Sequence, residues 1–397
     1  MIYDYQTAVN LSMLKKRGFW QVNQKCFFNK IECLKYANKI CNNQIRFHLF
    51  DEIYNSFDWK KEINDSIDDI YKQRAIQLRD NYRYLALAIS GGADSTNMLM
   101  SFLKNNIKVD EIICSFPIKA IEKYIKNFDP RDDDPKNYMF EYTHAAYPLI
   151  KYVNTYYPGI KITVLDYIDE TLEIIKNNEF HKFSQSGVLL SVATGWQYSI
   201  FSHLKNKNKA AIVYGIDKPR IRFNRENKKF ESFFIDINGV YGHFDELNFE
   251  YVPQVEYFYY TPDMPQIVIK QSQLIKQYIE NILLSKNIYQ CKDLCLENPQ
   301  GNKNLKIVFN VHSDPIKKIL YKDWNTEVFQ VKKIFSMYYS EVGYWFYKDN
   351  YIDDKIKKYH QGQLNEILHG VNYNFLTFDS DNRPSQLKVI STMSYDL

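Results

Sequence analysis

Residues 85–97 read Leu85-Ala86-Leu87-Ala88-Ile89-Ser90-Gly91-Gly92-Ala93-Asp94-Ser95-Thr96-Asn97. The apolar run Leu85 to Ile89 has the length and composition of a buried strand, and a helix-like stretch from Thr96 to Leu103 comes directly after it. A glycine pair between a buried strand and a helix start is a place for an anion. Glycine accepts positive φ and lets a ligand come close to the backbone. The free amides of the first helical turn point at that ligand, and the helix dipole favours negative charge there. Ser90 and Ser95 add hydroxyl donors. Asp94 would repel a bound anion unless a cation such as Mg2+ lay between them. The plain alternative is a glycine-rich turn with no ligand. A Walker A loop is excluded, because its lysine before the final hydroxyl residue is missing.

The segment resembles the PP-loop of the N-type ATP pyrophosphatases, whose motif Ser-Gly-Gly-x-Asp-Ser stands complete as Ser90, Gly91, Gly92, Asp94 and Ser95. The resemblance implies that these residues hold the β and γ phosphates of ATP, with Mg2+ as companion ion. It also implies transfer of AMP to a substrate oxygen with release of pyrophosphate. The fold it implies is α/β, a parallel sheet sandwiched by helices and adenine nucleotide α-hydrolase-like.

Outward from the loop, apolar strands at 85–89, 110–116, 160–166 and 210–215 alternate with helices at 95–104, 141–156, about 169–178 and about 186–204. That alternation indicates βαβ units and a parallel sheet. Right-handed crossovers put the glycine loop and the end of the fourth strand on one carboxyl edge. Upstream, residues 1–80 read as a small α+β region, with strands near 19–22, 26–28 and 45–50 and helices at 31–40 and 66–79. Residues 81–290 form the nucleotide-type domain, and residues 291–397 a mainly helical C-terminal extension. Helices are expected at 262–284, 314–320 and 328–338, and a loosely packed tail at 370–397.

Gly215-Ile216-Asp217-Lys218-Pro219-Arg220 comes after the fourth strand, across the sheet edge from the first loop. Gly215 permits close approach of a nucleotide. Asp217 is a second carboxylate for Mg2+ beside Asp94. Lys218 and Arg220 can neutralise a triphosphate and a departing pyrophosphate. The alternative is a βα loop capped by an aspartate, with solvated cations. The order of these parts resembles the synthetase domain of asparagine synthetases over roughly residues 80–335. Gly215 and Asp217 match that family's second loop, although Gly-Ile-Asp-Lys-Pro departs from Gly-x-Gly-Ala-Asp-Glu. Thr261-Pro262-Asp263 stands for the family's Pro-Phe-Leu-Asp, and Lys332 for its late lysine, which approaches pyrophosphate. Ile2 stands where glutamine-dependent members have a nucleophilic cysteine. The resemblance therefore implies adenylation of a small carboxylate or carbonyl substrate, then amidation by an amine or by ammonia, free or from a separate source. Two other classes stay open: modification of a nucleobase or tRNA by the same adenylation, and a non-catalytic subunit that binds ATP or AMP.

The composition is that of a globular chain: 397 residues, 45% hydrophobic and 25% charged. A net charge of +4 neither argues for a nucleic-acid partner nor excludes one. No apolar run reaches the ~20 residues that span a bilayer. Six scattered cysteines and no leader-like start point to reduced thiols and a cytoplasmic setting. Cys291 and Cys295, four apart, lack the Cys-x-x-Cys spacing of a zinc site. His144, His181 and His203 are candidate bases without a partner pattern. Asp132, Asp133 and Asp134 read as a solvated acidic loop.

Overall fold

The computed structural model describes residues 1–119, 142–177, 195–236, 253–285, 295, 306–324, 353–378 and 384–397. In chain order the strands are Phe19–Val22 (β1), Lys25–Phe27 (β2), Ile45–His48 (β3), Tyr84–Ala88 (β4), Glu111–Phe116 (β5), Lys161–Asp166 (β6), Ala210–Tyr214 (β7), Arg220–Asn224 (β8), Lys229–Ile235 (β9), Gln254–Tyr257 (β10), Lys306–Val308 (β11), Leu376–Phe378 (β12), Pro384–Leu387 (β13) and Ser391–Asp396 (β14).

Five of them form a parallel sheet in the order β10-β7-β4-β5-β6, flanked by helices. This is an α/β fold. The central strands are apolar throughout, as strands covered on both faces must be: Leu85, Ala86 and Leu87 of β4 and Ala211, Ile212 and Val213 of β7 are fully buried. The expected strands at 85–89, 110–116, 160–166 and 210–215 are all present within a residue or so, and β10 adds a fifth. The chain steps from β4 to β5 to β6, then returns to β7 on the other side of β4. With the right-handed crossover that is the rule between parallel strands, this strand order puts helices Ala93–Leu103 and Tyr147–Tyr156 on one face and Gly195–Leu204, which packs on β5 and β6, on the other. The strand order therefore reverses between β4 and β7, the point where open α/β sheets bind ligands.

The helix Ile67–Asn81 delivers the chain to β4. Ser66 caps it by accepting from Asp69 N, and its apolar face, with Ile67, Ile70, Tyr71, Ala75 and Leu78, is buried. It packs on Ala93–Leu103 and on Gln266–Ser285. The N-terminal strands make a small antiparallel sheet, β2-β1-β3. Its Trp20 and Phe47 belong to the same apolar cluster as Leu85, Ile113 and Val213, so the core runs unbroken into the parallel sheet. Among the described residues no helix is long and apolar enough to cross a membrane.

Two expectations change. The tail at 370–397 is not loosely packed at its end: β14 pairs with β9, and Tyr395 is buried on Trp59 in a stacked contact at 4.4 Å. The C-terminal part contributes helices Asp314–Leu320 and Asp354–Leu368, but also strands β11 to β14. Two of these, β11 and β14, join β8 and β9 in a sheet that the sequence patterning does not announce, β11-β8-β9-β14, antiparallel throughout. The expected helix at 328–338 lies outside the described residues.

Glu111, at the start of β5, is the most heavily bonded acid of the parallel sheet. It is fully buried and accepts from Tyr84 OH at 2.7 Å, from Lys161 Nζ at 2.8 Å, from His203 Nε2 at 2.9 Å and from the Thr163 hydroxyl. Burial alone would raise its pKa, but these donors outweigh burial and bring it down to about 2. A folded-state pKa below the unfolded one gives stability that is present above the unfolded value and lost as pH falls through the folded one. Urea unfolding of Glu111→Gln should therefore fall short of wild type most at about pH 7, and the gap should shrink by about pH 3. A gap that does not change with pH would reject this account of Glu111.

Candidate functional site

β4 and β7 are paired in register, Ala88 opposite Tyr214, so the loops that continue from them leave the carboxyl edge side by side. The first loop is closed on itself. Gly91 sits at φ 76°, and a Cβ there would lie 2.2 Å from the carbonyl carbon of Ala145, so no side chain fits. Ser90 Oγ and Ser95 Oγ are 3.4 Å apart, and Ser95 Oγ donates to Gly92 O at 3.1 Å. The helix Ala93–Leu103 then starts at Gly92 with no side-chain cap, whereas Asp4, Asn29 and Ser66 cap the starts of their helices. The first amides of the loop helix are thus left to another acceptor.

The second loop lies directly against the first. A Cβ on Gly215 would stand 2.9 Å from both Asp94 O and Ser95 Cα. This contact brings Asp217 and Lys218 to Asp94. Lys218 is buried, its Nζ donating to Asp94 Oδ1 and lying 5.4 Å from the centre of the Tyr321 ring. Tyr321 OH donates to the same Oδ1, so among the described residues Asp94 Oδ2 has no hydrogen-bond partner. Asp217 accepts from Lys218 N and from Arg220 Nη2, both at 2.7 Å, and Arg220 Nη1 donates to His312 Nε2. The chain beyond Gly215 is therefore not a βα loop: Arg220 opens β8, and its fork joins Asp217 to His312.

A buried aromatic floor supports the cluster. Tyr259 OH donates to Asp94 O at 2.8 Å and accepts from Asn97 Nδ2 at 3.0 Å. Tyr71, Tyr259 and Tyr321 contact one another, with ring centres 5.6 to 6.4 Å apart. Burial pushes the Tyr259 and Tyr321 phenols far up, so both act as neutral donors. Burial would also raise Asp217, but Arg220 above all, then His312 and Lys218, holds its carboxyl below the usual range. Burial, helped by Lys218 and Arg220 against the pull of Asp217, pushes His312 down to about 4. Near neutral pH the centre thus holds an ionised Asp217 and a neutral imidazole.

Of the residues singled out in the sequence, Ser90, Gly91, Gly92, Asp94, Ser95, Gly215, Asp217, Lys218 and Arg220 come together here. In this structure Lys218 and Arg220 are not solvated cations. Each is bonded to a carboxylate. Lys332, His181, Cys291, Asp132, Asp133 and Asp134 lie outside the described residues, as does the side chain of His144. His203 is bonded to Glu111 at the opposite, amino end of the sheet. His312, Tyr321 and Tyr259 were not legible as site residues. The first two flank the short helix Asp314–Leu320, more than 200 residues beyond the loop, and only the tertiary fold brings them to Asp94. No protein-family model matches the chain, and no curated protein matches it.

Gly91→Ala tests the loop conformation. Positive φ alone costs an L-residue about 1–2 kcal/mol, and the added methyl must also displace the backbone at Ala145. Stability by urea unfolding should fall by at least that amount. A variant as stable as wild type would show that the loop does not adopt this turn.

Proposed function

We propose that the chain binds MgATP between its two loops and transfers AMP to a carboxylate or carbonyl oxygen, releasing pyrophosphate, after which an amine or ammonia displaces the AMP. This reading includes the PP-loop likeness and an adenine nucleotide α-hydrolase-like fold. One juxtaposition supports it best: an uncapped, glycine-led helix start at the sheet's switch point, facing a second loop that brings one carboxylate and two buried cations.

In this reading the amides of residues 91–95 and the Ser90 and Ser95 hydroxyls take the phosphate oxygens. Asp94 and Asp217 would hold the companion divalent cation, which would supply neutralisation of phosphate charge. The free Oδ2 of Asp94 fits that role. Lys218 is a positioning residue, since it and Tyr321 fix Asp94 by its other oxygen. Arg220 fixes Asp217 in the same way. The protein's contribution is therefore charge already oriented before the substrate arrives, the usual main term in transfer to or from phosphate. Lys218 is fully buried and bonded to Asp94, so it would act on the leaving pyrophosphate by holding Asp94 in place, not by direct contact.

The test is an ATP–pyrophosphate exchange screen against amino acids, other carboxylates, nucleosides and tRNA, with the nucleotide products separated by chromatography. Exchange should appear with one class of acceptor, and AMP and pyrophosphate should form in step with product. Asp94→Asn should lower exchange by about 10²-fold or more, the scale of losing one oriented electrostatic group. Lys218→Ala should lower the rate more than it weakens ATP binding, because Asp94 loses its orientation and not the phosphate amides. ADP and orthophosphate as first products would overturn the proposal, and tight ATP binding with no exchange for any acceptor would assign a binding subunit instead.

A further inference from the structure

The cluster holds one group that the nucleotide reading does not use. His312 stands beside Asp217, its Nε2 3.7 Å from Asp217 Oδ1. Asp94, Asp217 and His312 each offer a ligand atom, and these atoms all lie within 4.8 Å of one another. Ligand atoms on one ion, with bonds of about 2.0–2.2 Å, sit roughly 3–4 Å apart. The three groups thus need to close by only about 1 Å to share an ion.

Two further observations point the same way. Arginine has donors only, so the hydrogen bond from Arg220 Nη1 requires His312 Nε2 to carry a lone pair. That is the form in which imidazole binds a metal. Asp94 presents Oδ2 without a partner among the described residues, because Lys218 and Tyr321 both use Oδ1. Each of these two residues therefore has a donor atom able to turn to a cation. Arg220 can give up His312 and keep Asp217 through Nη2, at 2.7 Å.

We infer that Asp94, Asp217 and His312 form one three-ligand site for a divalent first-row metal ion that accepts imidazole, such as Zn2+ or Co2+, in preference to Mg2+. Two carboxylates and an imidazole make a mixed oxygen–nitrogen set. Magnesium prefers oxygen donors and gives up its water reluctantly, whereas imidazole suits zinc and its neighbours. Three protein ligands also leave coordination positions open, as in sites where a metal meets a substrate. This inference rests on the proposed reading for what the open positions face, the phosphates of a nucleotide, and departs from it in the ion that the two carboxylates hold.

The experiment uses the whole chain without nucleotide and Co2+ as the probe, followed by its visible absorption. Wild type should bind one Co2+ per chain, and an excess of Mg2+ should displace it poorly. His312→Ala should weaken Co2+ by about 10-fold or more, since even outer groups around a metal are worth 10–100-fold. Its affinity for Mg2+ should change by less than about 2-fold, because magnesium uses the carboxylates. Circular dichroism of this variant should match wild type, as His312 lies on a turn outside the helices and strands. Equal Co2+ affinity in the variant, or equal competition by Mg2+ in wild type, overturns the inference. ATP–pyrophosphate exchange measured on the same wild-type protein judges the nucleotide reading separately, because the Co2+ titration contains no ATP.

Discussion

Gly215 touches the backbone of the neighbouring loop so closely that any side chain would strike Asp94 and Ser95. Everything at the carboxyl edge depends on that approach. The register of β4 and β7 ends the two strands level, and the missing side chain lets the loops meet instead of splaying. Asp217 and Lys218 then arrive at Asp94 because they are two and three residues beyond the contact. Gly91 plays the matching part on the other side, letting the first loop lie on the backbone at Ala145. The loop is thus held between two close contacts, each of which only glycine allows.

The charges are a consequence of this crowding. A buried lysine is costly unless it is paired, and Lys218 is tolerated because Asp94 lies against it. Arg220 and Asp217 are matched in the same way. With His312 neutral, two cations balance two carboxylates, so the centre carries no net charge of its own. A metal ion with an anionic ligand could enter such a centre without leaving a large uncompensated charge. The three neutral phenols beneath it keep the floor polar enough to orient Asp94 but add no charge.

Four strands of the parallel sheet were legible because they are short, mainly apolar runs that need no partner to be recognised, and their loops carry their own glycine and aspartate signals; β10, Gln254-Val255-Glu256-Tyr257, is half polar and gave no such signal. The second sheet was not legible, for physical reasons that differ by strand. β8, Arg220-Ile221-Arg222-Phe223-Asn224, alternates as a strand should, but two of its three polar positions are cationic, and its first residue reads as the end of a loop with solvated cations. The structure shows that Arg222 is opposite Glu231 in the register and bonded to it at 2.6 Å, a pairing visible only once the strands are side by side. β14, Ser391-Thr392-Met393-Ser394-Tyr395-Asp396, has weak periodicity and takes its shape from β9. His312 and Tyr321 carry no local signal, since a lone histidine and a lone tyrosine near a short helix are ordinary. Their part in the site is a property of the fold.

The ends of the chain bear on the site through that second sheet. Arg220 is the first residue of β8, and β8 is held by β9. β9 is held in turn by β14 and by Asp236 just beyond its end. Asp236 accepts from Trp20 Nε1 at 2.6 Å, from Lys30 Nζ at 2.8 Å and from Ile390 N at 2.7 Å, so it joins the N-terminal sheet, its helix and the C-terminal tail at one carboxylate. On the other side of the switch point, Glu256 of β10 binds Arg74 at 2.9 Å, Lys16 at 2.6 Å and Tyr82, which ties the sheet edge to the first helix and to the helix before β4. The N-terminal region and the tail are therefore parts of the frame that fixes Arg220 against Asp217 and His312. A centre only a few residues wide therefore draws on strands far apart in the chain: parallel strands position the loops, and the second wall is an antiparallel sheet whose two outer strands, β11 and β14, come from the last third of the chain.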